Sequence, residues 1–381
     1  MKNPLRSLPC FSVSNKKSPP CSQLPEGLFR HFTLSQIRAA TNNFNADAII
    51  GRGGYGTVYK GTTNDGTIVA VKRWEIKNGA YRYGAGAGAG QFQNRLLFLC
   101  QLRHPHLVSL IGICEEGNER IQVCEYTSRG ALCDHLYGEG YAPLLWKQRL
   151  QICIGAARGL HYLHAGAKHA VLHRDIRTSN ILLDGECSPK LSGFGLSKLG
   201  PRSMSKALIR MDTTRVVGTF GFMAPEYALR GELTEKSDIF SFGVVLFEVL
   251  FGRRNYNDTL PPNQVYLLDY AQEPLSEGTI YHAIDPHLKG RIAPECLNKY
   301  LEIACSCVHH NGNERPAMGE VEVTLELALE LQDSADAEMQ AINPCGECMY
   351  EEALFSAFPR KFTGLEIYSS DSDSNNSNNN S

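Results

Sequence analysis

Four short stretches carry side chains whose types and spacing suit work on phosphate. The first is GRGGYGTV, which sets Gly51, Gly53, Gly56 and Val58 in a Gly-x-Gly-x-x-Gly-x-Val pattern. Glycines let a backbone approach phosphate oxygens closely and offer N–H donors. Alone the pattern is weak, because short glycine motifs also close plain hairpins. It is not a dinucleotide fingerprint, since a strand rather than a helix follows. The second stretch is VAVK, with Lys72 inside an apolar alternation. That lysine either points inward to an anion or snorkels at the surface. The third is HRDIRTSN, which groups His173, Arg174, Asp175, Arg177 and Asn180. The fourth is SGFG, where Gly193 stands at a place that phosphate-transfer chemistry would give to an acid.

These residues need elements to hold them. Residues 46–74 are β-branched runs punctuated by glycine, which reads as three strands joined by tight turns. A helix is expected over 91–102, then two strands around a polar turn over 106–126. From about residue 130 the period becomes helical: WKQRLQICIGAARGLHYLH places Leu150, Ile154, Ala157 and Leu160 on one stripe. Upstream, Thr33 is placed to cap a short helix carrying Leu34, Ile37 and Ala40 on one side. The run Phe240–Gly252 is too short to span a bilayer and contains Glu248, so it reads as a buried core helix.

The chain has 381 residues, 43% hydrophobic and 20% charged, enough for a large packed core. A net charge of −2 excludes the basic face expected of a nucleic-acid binder. Thirteen scattered cysteines and a start without an apolar signal stretch point to a reducing, cytoplasmic setting. The start is not Met-Gly, which excludes N-myristoylation. Cys10 and Cys21 lie near basic residues, so palmitoylation and peripheral membrane association stand beside the plainer reading of free cysteines in a loose arm.

Together the glycine loop, VAVK, HRD-x-x-x-x-N, APE (Ala224–Glu226), SDIFSFG and the late Arg315-Pro316 resemble the eukaryotic protein kinase family, in order and spacing, over about residues 31–332. FTLSQIRAATNNF, LRHPHLVSLIG and ICIGAARGLHYLHAGAKHAVLHRDI resemble plant receptor-like Ser/Thr kinases of the malectin-like, FERONIA-type group. The resemblance implies an α+β, bilobal protein kinase fold: a five-stranded antiparallel N-lobe with one helix, and a helical C-lobe. It divides the chain into a disordered arm (1–30), a juxtamembrane-like lead-in helix (31–45), the N-lobe (46–128), the C-lobe (129–332) and a flexible tail (333–381). With no receptor ectodomain or membrane helix, the chain reads as a cytoplasmic relative or a truncated one.

The resemblance also implies roles. ATP would lie against Gly51, Arg52, Gly53, Gly54, Tyr55, Gly56, Val58 and Ala70, with Lys72 pairing its α- and β-phosphates. Cys124 would be the gatekeeper, and Glu125, Tyr126 and Thr127 the hinge. Asp175 would accept the substrate hydroxyl proton, Asn180 would hold Mg²⁺, and Arg177 stands where Ser/Thr kinases usually have lysine. Arg174 would meet a phosphorylated activation-loop residue among Ser203, Ser205, Thr213 and Thr214. Thr219 would belong to the substrate-binding loop, and Glu226 and Arg315 would form a structural ion pair.

Two acids of the pattern are absent. Gly193 replaces the metal-binding Asp of Asp-Phe-Gly, and Arg95 replaces the helix Glu that pairs the strand lysine. Between Ile76 and Cys114 there is no Asp or Glu to substitute. Losing one fixed electrostatic element of this kind costs about 10²–10³-fold in rate, or about 3–4 kcal/mol. The expectation is a pseudokinase that binds ATP with weak or absent Mg²⁺ and acts through partners such as receptor-like kinases or other signalling proteins. The alternative is an active Ser/Thr kinase with altered metal use and protein substrates. A decayed gene product is a third reading. Among weaker signals, Cys345 and Cys348 have ligand spacing, but zinc needs four ligands, and Cys305, Cys307, His309 and His310 read as structural.

Overall fold

The structure, a computed structural model, describes residues 29–53, 56–77, 80–81, 99–200, 208–211, 216–342, 344 and 347–351. Gly54, Tyr55, Arg95, Cys345 and the hydroxyl residues Ser203, Ser205, Thr213 and Thr214 lie outside the described residues. So do Cys10, Cys21, most of the helix expected over 91–102 and the residues beyond 351.

Side-chain alternation decides what each N-lobe strand faces. Strands β2 (Ile49–Gly53), β3 (Gly56–Thr62), β4 (Ile68–Trp74), β5 (Leu110–Glu116) and β6 (Glu119–Glu125) pair antiparallel. A two-residue strand β1 (Arg30–His31) joins β5 in parallel, giving the order β1-β5-β6-β4-β3-β2. The expected five-stranded antiparallel sheet is thus corrected to six strands with one parallel edge. Successive residues point to opposite faces. Tyr59, Val69, Val71, Ile121 and Val123 therefore share one face, while Val58, Ala70, Lys72 and Cys124 share the other.

The first face is covered by the lead-in. Phe32 and Ile37, the latter on helix α1 (Leu34–Ala40), are buried in one cluster with those five side chains. Thr33 caps α1 in a reciprocal box: its hydroxyl accepts from Gln36 N at 3.1 Å, and Gln36 accepts from Thr33 N at 2.8 Å. The lead-in, expected as a segment apart, is a layer of the N-lobe core. Burial of each large apolar side chain here contributes about 1.5–3 kcal/mol. With one face covered by the lead-in, the face with Val58, Ala70, Lys72 and Cys124 is turned away from it.

The C-lobe is built around α5 (Glu235–Phe251), which is buried on every side from Ser237 to Phe251. A helix apolar all round has to be interior. It shares one core with α2 (Leu132–Tyr137), α3 (Trp146–His161), α4 (Pro225–Arg230), α6 (Leu267–Glu277), α7 (Pro294–Cys307) and α8 (Met318–Ile342). Helix α8 carries the chain past residue 333, where the tail was expected to begin. No proline interrupts 318–342, and Gln332 is buried, accepting from Ala293 N at 2.9 Å and donating to Asp336 at 2.9 Å. Tyr350 then folds back, its hydroxyl donating to Asp336 at 2.6 Å. Among the described residues no helix is long and apolar enough to cross a membrane. The hairpin β7 (Ile181–Leu183) and β8 (Pro189–Leu191) frames the segment that carries Asn180 and Gly193.

Candidate active site

On the N-lobe side, β2 and β3 set Gly51 opposite Val58, Arg52 opposite Thr57, and Gly53 opposite Gly56. Gly56 has φ +137°, and a side chain there would put Cβ 2.0 Å from the Arg73 carbonyl oxygen, so only glycine lets β4 approach this closely. Lys72 is paired across strands with Val58 and Gln122, and Ala70 with Cys124. Lys72 therefore shares a sheet face with Val58, Ala70 and Cys124, opposite the face the lead-in covers. Its ammonium lies 4.7 Å from the centroid of the Trp74 ring. Burial pushes the Cys124 thiol up to about 12, which leaves a small neutral side chain rather than a reactive thiolate. The Glu125 carboxylate accepts from Ser109 N at 2.7 Å and pairs with Lys190 of β8 at 3.2 Å, tying the hinge to the C-lobe. The Tyr126 ring lies 5.0 Å beneath the Lys60 ammonium.

On the C-lobe side, the catalytic-loop residues hang from one buried carboxylate. Asp238 of α5 accepts from His173 N and Arg174 N, both at 2.7 Å, and faces His164 Nε2 at 2.9 Å. These bonds hold Arg174 at φ +69°, a left-handed conformation disfavoured for residues with a Cβ. Burial would push the Asp238 carboxyl up. The His164 hydrogen bond and charge and the backbone N–H of Arg174 outweigh it and leave the group below the usual carboxylate range. Burial likewise lowers the His173 imidazole, whose Nε2 meets the Ser192 carbonyl at 2.8 Å. The Phe194 ring lies 5.0 Å from that imidazole and completes the interior below the loop.

Asp175 projects from this frame with both oxygens engaged. Oδ1 accepts from Thr219 at 2.6 Å and lies 3.5 Å from Arg177 Nε; Oδ2 accepts from Asn180 Nδ2 at 2.9 Å. Arg174 donates to the Leu196 carbonyl at 3.0 Å and to the Tyr227 hydroxyl. Glu226 and Arg315 form the expected ion pair, bidentate at 2.8 and 2.9 Å and buried.

The metal corner is different. Gly193 adopts φ +83° and ψ +24°, and a Cβ there would lie 2.5 Å from both Cγ and Nδ2 of Asn180. The Asn180 amide thus fills the space beside residue 193, held by Nδ2 bonds to the Asp175 carbonyl at 2.7 Å and its carboxylate. Mg²⁺ wants near-octahedral oxygen ligation with one or two carboxylates. Here the corner offers one amide oxygen, no side chain at 193, and one carboxylate already bonded to Thr219 and Asn180. Position 193 itself contributes no side-chain ligand oxygen to this corner. The candidate zinc partners Cys305 and Cys307 are buried, their thiols pushed upward by desolvation.

The sequence reading assigned no role to two acids that the structure places beneath this loop. Asp238 was legible as an acid inside an apolar helical run. Glu248 served only to argue against a membrane span, yet it lies under the catalytic loop. It accepts from Thr178 at 2.8 Å and Asn255 N at 2.7 Å, and burial raises its carboxyl to about 7.

Comparison with known proteins agrees with this geometry. Residues 44–325 match the protein tyrosine and serine/threonine kinase family. The chain is 47% identical over 335 residues to the receptor-like protein kinase FERONIA of Arabidopsis thaliana, covering 88% of this chain and 36% of that protein. It is 49% identical over 315 residues to receptor-like protein kinase ANXUR2 of the same plant, covering 83% and 35%. It thus spans about a third of the length of these relatives. A β-sheet N-lobe on a helical C-lobe, the HRD-x-x-x-x-N loop hung from α5, and these matches place the chain in the protein kinase family, among relatives that are receptor-like kinases.

Proposed function

We propose that the chain is a receptor-like pseudokinase: a nucleotide-binding signalling protein that transfers phosphate poorly and works by engaging partners, receptor-like kinases first among them. It would do so in the cytoplasm, at or near the inner face of the plasma membrane. The observation that carries this reading is the corner at Gly193, where Asn180 occupies the room that a metal-binding carboxylate needs. Phosphoryl transfer asks a protein mainly to position reactants and neutralise charge. By the family's pattern the sequence lacks two acids and carries Arg95 at the position of one of them, a change of three charges towards positive. A more cationic cleft can hold polyphosphate without a metal to bridge it. ATP should therefore bind with the same affinity in EDTA and in Mg²⁺. Titration of a fluorescent ATP analogue into the purified chain tests this: affinity that depends on Mg²⁺ by tenfold or more argues against the reading.

The bonding of Asp175 to Thr219 supports a second reading, an active Ser/Thr kinase with altered metal use. The two readings part at Asp175→Asn. A binding role in complexes with receptor-like kinases survives the substitution; signalling by transfer does not.

A further inference from the structure

The segment after Gly193 is held to the C-lobe by two short antiparallel ladders. Lys198 and Leu199 pair with Leu172 and Val171. Ile209 and Arg210 pair with Leu233 and Glu232. Met211 extends the second ladder, its N–H donating to the Gly231 carbonyl at 2.8 Å. A side-chain contact joins the two: the Lys198 ammonium donates to the Met211 thioether sulfur at 3.0 Å. Both residues are half-buried.

This corner has more donors than acceptors. A thioether is a weak acceptor for an ammonium. Burial and the nearby Arg174 charge push the Lys198 ammonium below its ordinary range, and among the described residues no carboxylate pairs with it. Arg174 Nε is likewise buried without an acceptor among the described residues. An oxygen added to the Met211 sulfur would supply what the corner lacks. Methionine oxidation disrupts apolar packing because the sulfoxide is polar; here the new oxygen would meet a cationic donor instead. We propose that Met211 is an oxidation site for hydrogen peroxide, and that its sulfoxide, held by Lys198, clamps the two ladders together. Sulfur has two lone pairs; Lys198 engages one and leaves the other to attack a peroxide oxygen. An S–O bond forms and the O–O bond breaks. The sulfur gives up two electrons, the peroxide takes them, and the second oxygen departs as water, with the proton of the transferred oxygen passing to it through solvent. The clamp is independent of phosphate transfer.

The test treats the full chain with hydrogen peroxide until Met349, which is 51% exposed, is fully oxidised. Peptide mass spectrometry then locates the sulfoxides, and amide hydrogen exchange follows the two ladders. Met318, 3% exposed, should stay unoxidised and so report a folded sample. Met211 should gain one oxygen, and exchange at 198–199 and 209–211 should slow about tenfold, the scale of a hydrogen bond to a charged group. Methionine sulfoxide reductase should restore the original exchange. In Lys198→Leu the peroxide should no longer slow exchange, and in Met211→Leu it should change nothing at these strands. An unoxidised Met211 beside a fully oxidised Met349 overturns the proposal. Exchange that is unchanged or faster once Met211 is oxidised in the unsubstituted protein also overturns it, and that result needs no variant to fold. Slowing that persists in folded Lys198→Leu overturns the role of Lys198.

Discussion

Two polar assemblies meet at Asn180. Below it, the catalytic loop is densely partnered: Asp238 takes two backbone N–H groups and His164, and Glu226 and Arg315 close a buried bidentate pair nearby. Above it, the corner consists of a glycine and an amide that lies where a side chain at 193 would go. An unbonded buried polar group there costs stability, and most groups of the first assembly are bonded, His164 Nδ1 and Arg174 Nε excepted. The second has no such duty to the fold. Gly193 can lack a carboxylate because nothing in the core depends on one. The contrast also shows what HRD-x-x-x-x-N reports: its backbone and Asn180 amide serve the architecture of the loop, so its presence does not by itself establish transfer.

The comparison breaks most visibly if the lower assembly proves dispensable. Arg315→Ala leaves Glu226 as an uncompensated buried charge and should cost about 3–5 kcal/mol in urea unfolding. A loss below about 1 kcal/mol would show that the scaffold is not held as described. The upper assembly is probed by gain. Gly193→Asp requires Asn180 to swing out and give up its bonds to Asp175, and an aspartate tolerates the left-handed backbone there better than most residues. Combined with Arg95→Glu, it should raise Mg²⁺-dependent phosphate transfer by about 10²–10³-fold, equivalent to about 3–4 kcal/mol. No gain in a folded double variant would mean that the missing acids do not account for the defect.

A smaller effect sharpens the lower assembly. Glu248 has a carboxyl raised from 4.5 to about 7 by burial. The folded protein keeps that proton to higher pH than the unfolded chain does. Its stabilising contribution is complete below about 4.5 and is lost as pH rises through 7. Between pH 5 and pH 8 the protein should lose about 2–3 kcal/mol more stability than Glu248→Gln. Parallel pH profiles of unfolding free energy would show that Glu248 is ionised at neutral pH.

Much of this architecture is written in local signals. The Thr33–Gln36 box, the glycine-punctuated strands and the apolar run of α5 each follow from nearest neighbours, and so does the glycine in place of the acid. What escaped depends on long-range packing. Parallel addition of Arg30–His31 to the sheet edge, and coverage of its outer face by Phe32 and Ile37, join residues that are remote in sequence. The role of Asp238 requires knowing that α5 runs beneath a loop some 64 residues earlier. Asn180 turning into the space beside Gly193 is likewise a tertiary event, legible only once both sit in one frame.

The most direct test of the central claim is phosphate transfer by the purified chain. Labelled ATP with Mg²⁺, and separately with Mn²⁺, would be supplied with a generic protein substrate beside an Asp175→Asn control. The account predicts incorporation no greater than that control in a folded sample. Incorporation clearly above it would contradict the account and establish that the site transfers phosphate without the carboxylate at position 193.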